Sequence, residues 1–235
     1  MDRIGYYQIW RELSGPYFHW QVEQFRPWLG RRVADVGCGP GTLTPLLMDR
    51  DYYLAVDSDP VMLAEVQAKW GHDVACLQAE ITSLDCRDRL RAANLDTIVT
   101  SNTIEHIEDD RTALAVMTDA LPVGGHLCVL VPAFQWLYGT LDVLDGHYRR
   151  YTKAMLRERV RELPLVIVHL RYFNVVGALG WWVKGKLLRE TMQKAENYRA
   201  MTMLLPVVRP LEKLVPPPFG LSLVAVMRRV CRHGG

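Results

Sequence analysis

Short apolar runs alternate with segments of helical periodicity along most of the chain. Seven of these runs predict strands, near residues 32–36, 52–57, 73–78, 95–100, 126–131, 165–171 and 221–228. A leading helix is predicted over 17–28, and three later helices have a polar residue at their start, namely Asp59, Asp109 and Thr152. Strands and helices that alternate in this way predict an α/β fold with a Rossmann-like, doubly wound, seven-stranded sheet.

The first predicted strand runs directly into a glycine-rich turn, which reads Val33-Ala34-Asp35-Val36-Gly37-Cys38-Gly39-Pro40-Gly41. Glycines there permit positive φ angles and leave no Cβ atom on a surface where a ligand lies against the backbone. A helix-compatible pattern follows. The unit therefore predicts a nucleotide cradle with Gly37, Cys38, Gly39 and Gly41 as binding residues.

The spacing of the glycines bears on which nucleotide is bound. Dinucleotide folds use G-x-G-x-x-G, whereas this chain has G-x-G-x-G with Asp35 two residues before the first glycine. An acid there repels a pyrophosphate and favours a cation, such as the amino group and sulfonium of S-adenosylmethionine. A nicotinamide oxidoreductase is the weaker interpretation.

Acidic residues also follow the next two predicted strands. Asp57, with Ser58 beside it, ends the second strand about 20 residues after the glycine turn, where a carboxylate can accept both ribose hydroxyls. Glu80 follows the third strand and could face the adenine amino group, while Ile81 packs on the ring. Three successive strands that each end in the expected group are a far more specific signal than one glycine motif.

These residues resemble the class I S-adenosylmethionine-dependent methyltransferases, from about Arg32 to Val131 and again in the last strand. Asp35 to Gly41 is similar to the first motif of that family, and Ser101 and Asn102 lie in a segment similar to its fourth-strand motif. The resemblance implies S-adenosylmethionine as cofactor and S-adenosylhomocysteine as product, with Ser101 and Asn102 beside the methionyl part. Glu80 departs from the family pattern, which more often has aspartate.

The loop after the fifth strand is predicted to carry the acceptor, because ligands of open α/β sheets bind beyond the carboxyl ends of the strands. For a hydroxyl acceptor, His147 is the first candidate base, oriented by Asp145, and His106 is the second. Arg149 and Arg150 could clamp a carboxylate or phosphate. Three aromatic residues would form the walls of the site: Trp136, Tyr138 and Tyr151.

Purely structural roles for the residues of this loop also remain open. The arginines could pair with helix acids, and the histidine could bond only to backbone. The loop also resembles a Gly-His-x-Arg-Arg-Tyr pattern in a bacterial group of these methyltransferases that is associated with sugar and lipid-linked pathways. That resemblance implies a small or lipid-linked acceptor and does not identify it.

Two segments flank this predicted catalytic unit. Residues 174–218 form a long connection between the last two strands and are predicted to be a helical lid, an interfacial membrane helix or a dimer contact; an amphipathic helix packed on its own sheet is equally consistent. Trp181 and Trp182 lie there among basic residues. Residues 1–30 are predicted to be a helical cap whose aromatic side chains close the site: Tyr6, Tyr7, Trp10 and Tyr17.

Composition narrows the remaining classes. The 235 residues suit a single domain, and a net charge of +2 gives no field that would favour nucleic acid as a partner. The five cysteines lack metal-binding spacing, so no metal is expected, and they suit a reducing compartment. With no signal peptide in the sequence, a cytoplasmic protein is expected, peripherally attached to a membrane if residues 174–215 bind one.

Three functions from different classes remain. The favoured one is O-methylation of a small acceptor that is amphiphilic or linked to a lipid or sugar. The second is a non-methylating enzyme that uses the same cofactor for a cyclisation or rearrangement. The third is a nonenzymatic cofactor-binding regulator, which the polar loop at 145–151 argues against, because a binding module has no need of a histidine and paired arginines there.

Overall fold

A computed structural model describes residues 15–190 and 195–231. The predicted strands are all present, with ends within two residues of the predicted ones: β1 Arg32–Val36, β2 Tyr52–Asp57, β3 Ala75–Gln78, β4 Thr97–Ser101, β5 His126–Pro132, β6 Leu165–Phe173 and β7 Ser222–Arg229. Together they form one sheet, which confirms the predicted fold class.

The order of strands in the sheet is β3-β2-β1-β4-β5-β7-β6. The five strands from β3 to β5 are parallel, and β7 runs antiparallel between β5 and β6. The chain reverses its direction of travel across the sheet between β1 and β4, which is where ligands bind in folds of this kind. The glycine turn and the loops after β2, β3, β4 and β5 all lie at that edge.

Helices cover both faces of the sheet. In chain order they are α1 over residues 15–23, α2 Thr44–Leu47, α3 Pro60–Trp70, α4 Leu84–Ala92, α5 Asp110–Ala120, α6 Thr140–Asp145, α7 Lys153–Val160, α8 Val175–Trp182 and α9 Ala195–Leu214. A π-helix, Val183–Leu187, continues α8. The three predicted start residues all accept a backbone hydrogen bond within the first turn, namely Asp59, Asp109 and Thr152.

The N-terminal segment packs on the sheet face that carries α3 and α9. Trp20 and Phe25 are buried there, and the ring of Trp20 meets Phe173 edge-on at 5.0 Å. Tyr17 stacks on the same phenylalanine. The other three aromatic residues of the predicted cap, Tyr6, Tyr7 and Trp10, lie outside the described residues.

The connection between β6 and β7 is helical in its described parts, as α8, the π-helix and α9. Asn174 begins α8 with its side chain accepting from the Gly177 amide, and Glu212 of α9 accepts from the amides of Asn174 and Val175. Hydrogen bonds thus join the last turn of α9 to the start of α8. Across the described residues, no helix has the length and apolar character needed to cross a membrane.

Candidate functional site

The glycine turn after β1 has the backbone that the sequence predicts. Gly37, Gly39 and Gly41 adopt φ angles of 76°, 53° and 77°. A Cβ atom at Gly37 would lie 2.2 Å from the side chain of Thr103, which follows β4. Only glycine therefore lets the turn approach the segment after β4.

Asp57, at the end of β2, fixes the middle of this turn. Its Oδ2 accepts from the Gly39 amide at 2.8 Å and its Oδ1 from the Asp59 amide at 3.0 Å. A Cβ atom placed on Gly39 would meet nothing within 4 Å, so the space above the turn is open. The carboxylate thus shapes a cradle that a flat ligand can enter, in addition to the ribose contact that the sequence predicts for it.

Asp35 lies inside the sheet, between β2 and β4, and is 2% exposed. The Tyr53 hydroxyl donates to Oδ2 of Asp35 at 3.3 Å and also bonds to Thr44. Burial raises the pKa of Asp35 to about 7, the Tyr53 hydrogen bond opposes the shift, and the charge of Asp57 adds to it. A carboxyl group so poor in donors suits a cationic ligand, which would hold it ionised.

The other predicted cofactor residues lie at the same edge of the sheet. Ser58 and Glu80 are exposed, and Ile81 is almost buried beside them. Ser101 and Asn102 are half-buried at the end of β4, where Asn102 takes a positive φ of 52°. The structure therefore groups the predicted residues around one open cradle, and their contacts with a cofactor stay a prediction.

Glu105, His106 and His147 form a cluster beyond the end of β4. One ligand-type atom from each lies within 4.8 Å of the others, and the two imidazole rings meet edge-on with centroids 4.7 Å apart. Such a grouping is close enough for proton transfer through one bridging water and compact enough to hold a metal ion. The cluster joins both predicted candidate bases in one place.

Glu105 is fully buried, and neither of its carboxylate oxygens has a hydrogen-bond donor among the described residues. Burial raises the pKa of Glu105 to about 7, and the nearby charge of His147 opposes that shift. Burying a carboxyl group without hydrogen-bond donors destabilises the fold, which favours a functional role for Glu105 over a purely structural one.

The carboxylate that holds His147 is Asp142 and not the predicted Asp145. Asp142 Oδ1 lies 2.8 Å from His147 Nδ1, while Asp145 is exposed at the end of α6. Asp142 also accepts from the Gly139 amide in the first turn of α6, which directs its side chain inward. Burial alone would lower the pKa of His147, but the bond to Asp142 and the charge of Glu105 raise it above its ordinary value.

Arg150 is not available to clamp a substrate, contrary to the prediction. Its side chain is buried, with Nε 2.6 Å from Asp142 Oδ1 and Nη1 donating to the Ala133 carbonyl at 3.2 Å. Its guanidinium lies 4.9 Å from the ring centre of Trp181. The arginine is the counter-charge of Asp142, because a carboxylate this deep needs one.

Arg149 and Tyr151 are likewise engaged inside the protein. Asp110, buried at the start of α5, accepts from the Tyr151 hydroxyl at 2.8 Å, and its Oδ2 lies 2.9 Å from Arg149 Nη1. Arg159 pairs with the same carboxylate at 2.9 Å. Tyr151 is fully buried, so it cannot line a substrate site, and Arg149 serves the fold.

The two other predicted wall residues differ in position. The Tyr138 hydroxyl donates to the His147 carbonyl at 2.7 Å and so supports the histidine from behind. Trp136 is 48% exposed and lies beside Phe134 and Phe219. Of the predicted walls, only Trp136 presents a large face to solvent.

The most connected side chain of the site has no predicted role. Asp142 binds His147, Arg150, the Gly139 amide and Trp181, whose Nε1 donates to Oδ2 at 3.1 Å. A glycine followed three residues later by an acid is the signal of a helix start that would have marked it. Glu105 carried no comparable signal, because the residues around it, from Ser101 to Asp110, are mostly polar.

Comparisons with known proteins agree with this geometry. A family model described as a methyltransferase domain matches residues 33–125. A trans-aconitate 2-methyltransferase from Streptomyces avermitilis is 33% identical over 153 residues, which are 63% of this chain and 56% of that protein. The chain spans about half the length of the curated relatives it matches.

Solved structures share the fold. An S-adenosylmethionine-dependent methyltransferase from Archaeoglobus fulgidus superposes with a TM-score of 0.60 at 16% identity, over 93% of this chain and 94% of that one. The (4+2)-cyclase SpnF gives a TM-score of 0.59 at 16% identity, over 92% of this chain and 81% of that one. At such identity the likeness establishes the architecture and leaves the reaction open.

Proposed function

We propose that the chain is a class I S-adenosylmethionine-dependent methyltransferase and that it transfers a methyl group from this cofactor to a hydroxyl oxygen of a small, amphiphilic acceptor. One observation carries the proposal. The cluster of Glu105 and His106, which follow β4, and His147, from the loop after β5, lies at the edge of the sheet where the glycine turn opens.

The cradle fits the cofactor in shape and charge. The open space above Gly39 admits a flat group against the backbone, and Asp57 lies beside it as an acceptor for ribose hydroxyls. Asp35 is a buried carboxyl group that a cation would stabilise. When bound, S-adenosylmethionine supplies a methyl group on a positively charged sulfur, which is already a good leaving group.

His147 is the group best supported as the base for a hydroxyl acceptor. Asp142 also binds Arg150 and is therefore ionised, so it accepts the Nδ1 hydrogen of the imidazole. That tautomer leaves the Nε2 lone pair free to take the acceptor's proton. The charge of Glu105 then stabilises the imidazolium that forms.

A small acceptor agrees with the relatives and with the loop. The curated relatives include trans-aconitate 2-methyltransferases, whose name describes a small acceptor. Arg149 and Arg150 are engaged in ion pairs, so anion binding by this pair does not enter the proposal. Exposed Tyr148, whose amide donates to the Glu105 carbonyl, and exposed Trp136 in the same loop favour an acceptor with an apolar part.

The test uses the purified chain with S-adenosylmethionine labelled on its methyl group. Candidate hydroxyl-bearing acceptors and bacterial extracts are incubated with it, and labelled products and S-adenosylhomocysteine are measured by mass spectrometry. His147→Gln should lower turnover by about a hundredfold or more while cofactor affinity, measured by calorimetry, stays unchanged. His72→Gln, at an exposed histidine after α3, is the matched control.

The same experiment separates the non-methylating interpretation. The shared architecture with a cyclase shows that this fold does not by itself define the reaction. An acceptor that is consumed and isomerised with no S-adenosylhomocysteine formed would replace methyl transfer by that reaction class. If the labelled methyl group appears only on nitrogen or carbon atoms of the product, O-methylation is rejected and methyl transfer is retained.

A further inference from the structure

An apolar surface remains uncovered on the helices between β6 and β7. It comprises eleven exposed side chains, here called the outer face: Leu179, Trp182, Val183, Leu187, Leu188, Met203, Leu204, Val207, Leu211, Leu214 and Val215. Twenty large hydrophobic side chains are exposed among the described residues, so more than half of them are concentrated in this one region. Concentrations of this kind mark interaction surfaces, whereas single exposed hydrophobic residues do not.

The helix α9 is apolar on two opposite sides. Leu205 and Val208 are buried against the protein, as a surface helix requires. On the outward side, however, Met203, Val207 and Leu211 follow one another at four-residue spacing, and each is at least 58% exposed. Such a stripe of exposed apolar side chains is expected to lie against another apolar surface.

Among the side chains that the structure describes, the exposed charges around the outer face are positive. Lys186 and Arg189 flank the leucines at the end of the π-helix, and Lys213 lies in the last turn of α9. The acid of that turn, Glu212, is 6% exposed and binds backbone amides inside the protein. Glu190 is half-buried. Aliphatic residues and a tryptophan bordered by lysine and arginine are the composition that favours the boundary between lipid headgroups and acyl chains.

We propose that the outer face binds the surface of a bilayer that contains anionic lipids. Its apolar side chains enter the acyl boundary, and Lys186, Arg189 and Lys213 contact the headgroup phosphates. A second copy of the chain is a poorer occupant. A two-fold contact would bring the same cations of both copies to one interface, where they repel.

The bilayer contact is connected to the catalytic loop. Trp181 Nε1 donates to Asp142, and the Gly185 carbonyl oxygen lies only 2.7 Å from where a Cβ atom of Gly139 would be. The segment that carries the outer face therefore packs directly on the loop that holds His147. On the basis of the proposed function, the acceptor is then a lipid-soluble molecule taken from the membrane surface; the lipid binding itself does not depend on that function.

The test is co-sedimentation of the full chain with vesicles of phosphatidylcholine alone or mixed with phosphatidylglycerol. We expect binding to the anionic vesicles, weakened by salt. The double variant Leu187→Asp and Leu188→Asp, and separately Val207→Asp with Leu211→Asp, should each weaken binding by about tenfold or more. Val61→Asp and Val123→Asp alter residues of similar exposure, 52% and 61%, outside the outer face, and should leave binding unchanged.

Two accompanying measurements decide between outcomes. Calorimetry with S-adenosylhomocysteine shows that each variant retains its fold, and sedimentation velocity without lipid reports dimers. Absence of binding to anionic vesicles, or equal losses in the control variants, would overturn the proposal. A dimer that the outer-face substitutions dissociate would also overturn it and assign the surface to a second copy. Since no turnover is measured, failure of methyl transfer would leave this result untouched.

Discussion

Trp181 donates its indole hydrogen to Asp142 at 3.1 Å, and this contact ties the connection between β6 and β7 to the loop after β5. The other oxygen of the same carboxylate accepts from Arg150 and lies 2.8 Å from His147 Nδ1. One buried acid thus fixes the candidate base, its counter-charge and the helical connection at once. The orientation of His147 depends on the packing of a segment far away in sequence.

Replacing Asp142 by asparagine should destabilise the protein by about 3 kcal/mol, because it leaves Arg150 as a buried charge without a partner. The measurement is urea denaturation followed by circular dichroism. Asp145→Asn is the matched control, since that residue is exposed three positions later on the same helix. It should change the unfolding free energy by less than about 0.5 kcal/mol. If the two substitutions lowered the unfolding free energy equally, Asp142 would have no greater structural role than Asp145.

The difference between these two aspartates shows where sequence reasoning reached its limit. The central parallel strands β1, β2, β4 and β5 were found to within two residues because they are buried on both faces and read as continuous apolar runs. The glycine turn was found because only glycine tolerates its φ angles. Both features depend on residues that are close together in the sequence, so the sequence alone is enough to predict them.

The sequence allowed the alternative that Arg149 and Arg150 pair with helix acids, as they do, but it could not identify those acids, because contacts in the folded chain select them. Arg149 meets Asp110, which is 39 positions away, although both arginines of the loop looked suited to a substrate anion. The short helix α6 buries Asp142 against His147 and Arg150 and leaves Asp145 exposed, and a loop had been expected there. The structure therefore agrees with the predicted positions of the loop residues and differs from the roles predicted for several of them.

Substitution of Gly39 by alanine should weaken cofactor binding by about tenfold or more and lower the unfolding free energy by about 1–2 kcal/mol. The new methyl group would meet no protein atom within 4 Å and would instead enter the cradle. The backbone strain is about 1–2 kcal/mol for a positive φ. Gly124→Ala is the control, because Gly124 also has a positive φ, 91°, and a Cβ atom there would meet nothing within 4 Å. Calorimetry with S-adenosylhomocysteine should find normal affinity in that control; equal weakening in both variants would place the cofactor elsewhere.

Cofactor affinity should fall as the pH is lowered through about 7. Burial raises the pKa of Asp35 to about 7 in the free protein, and a bound cation favours its ionised form, so a proton competes with the cofactor. Between about pH 8 and about pH 6 the dissociation constant of S-adenosylmethionine should rise by about tenfold. In Asp35→Asn this pH dependence should disappear along with part of the affinity. A dependence that persists in the variant would exclude Asp35 as its origin.

The pH profile of turnover should report His147. Its pKa lies above the ordinary value of about 6.5, and only the neutral imidazole accepts a proton, so kcat should rise with pH through a midpoint above about 6.5. Glu105→Gln removes a charge that raises this pKa and should move the midpoint to lower pH. Its fold should persist, because no described residue donates to that carboxylate. An unmoved midpoint would show that another group titrates.

Chelation of metal ions should leave turnover unchanged. An imidazole held by Asp142 can accept the acceptor's proton without a Lewis acid, and the cluster of Glu105, His106 and His147 then acts only by proton transfer. The measurement is kcat before and after dialysis against a chelator, with elemental analysis of the purified protein as the control. If activity is lost and one divalent cation restores it, the three side chains are metal ligands. The cation would then lower the acceptor's pKa, and His147 would no longer be the base.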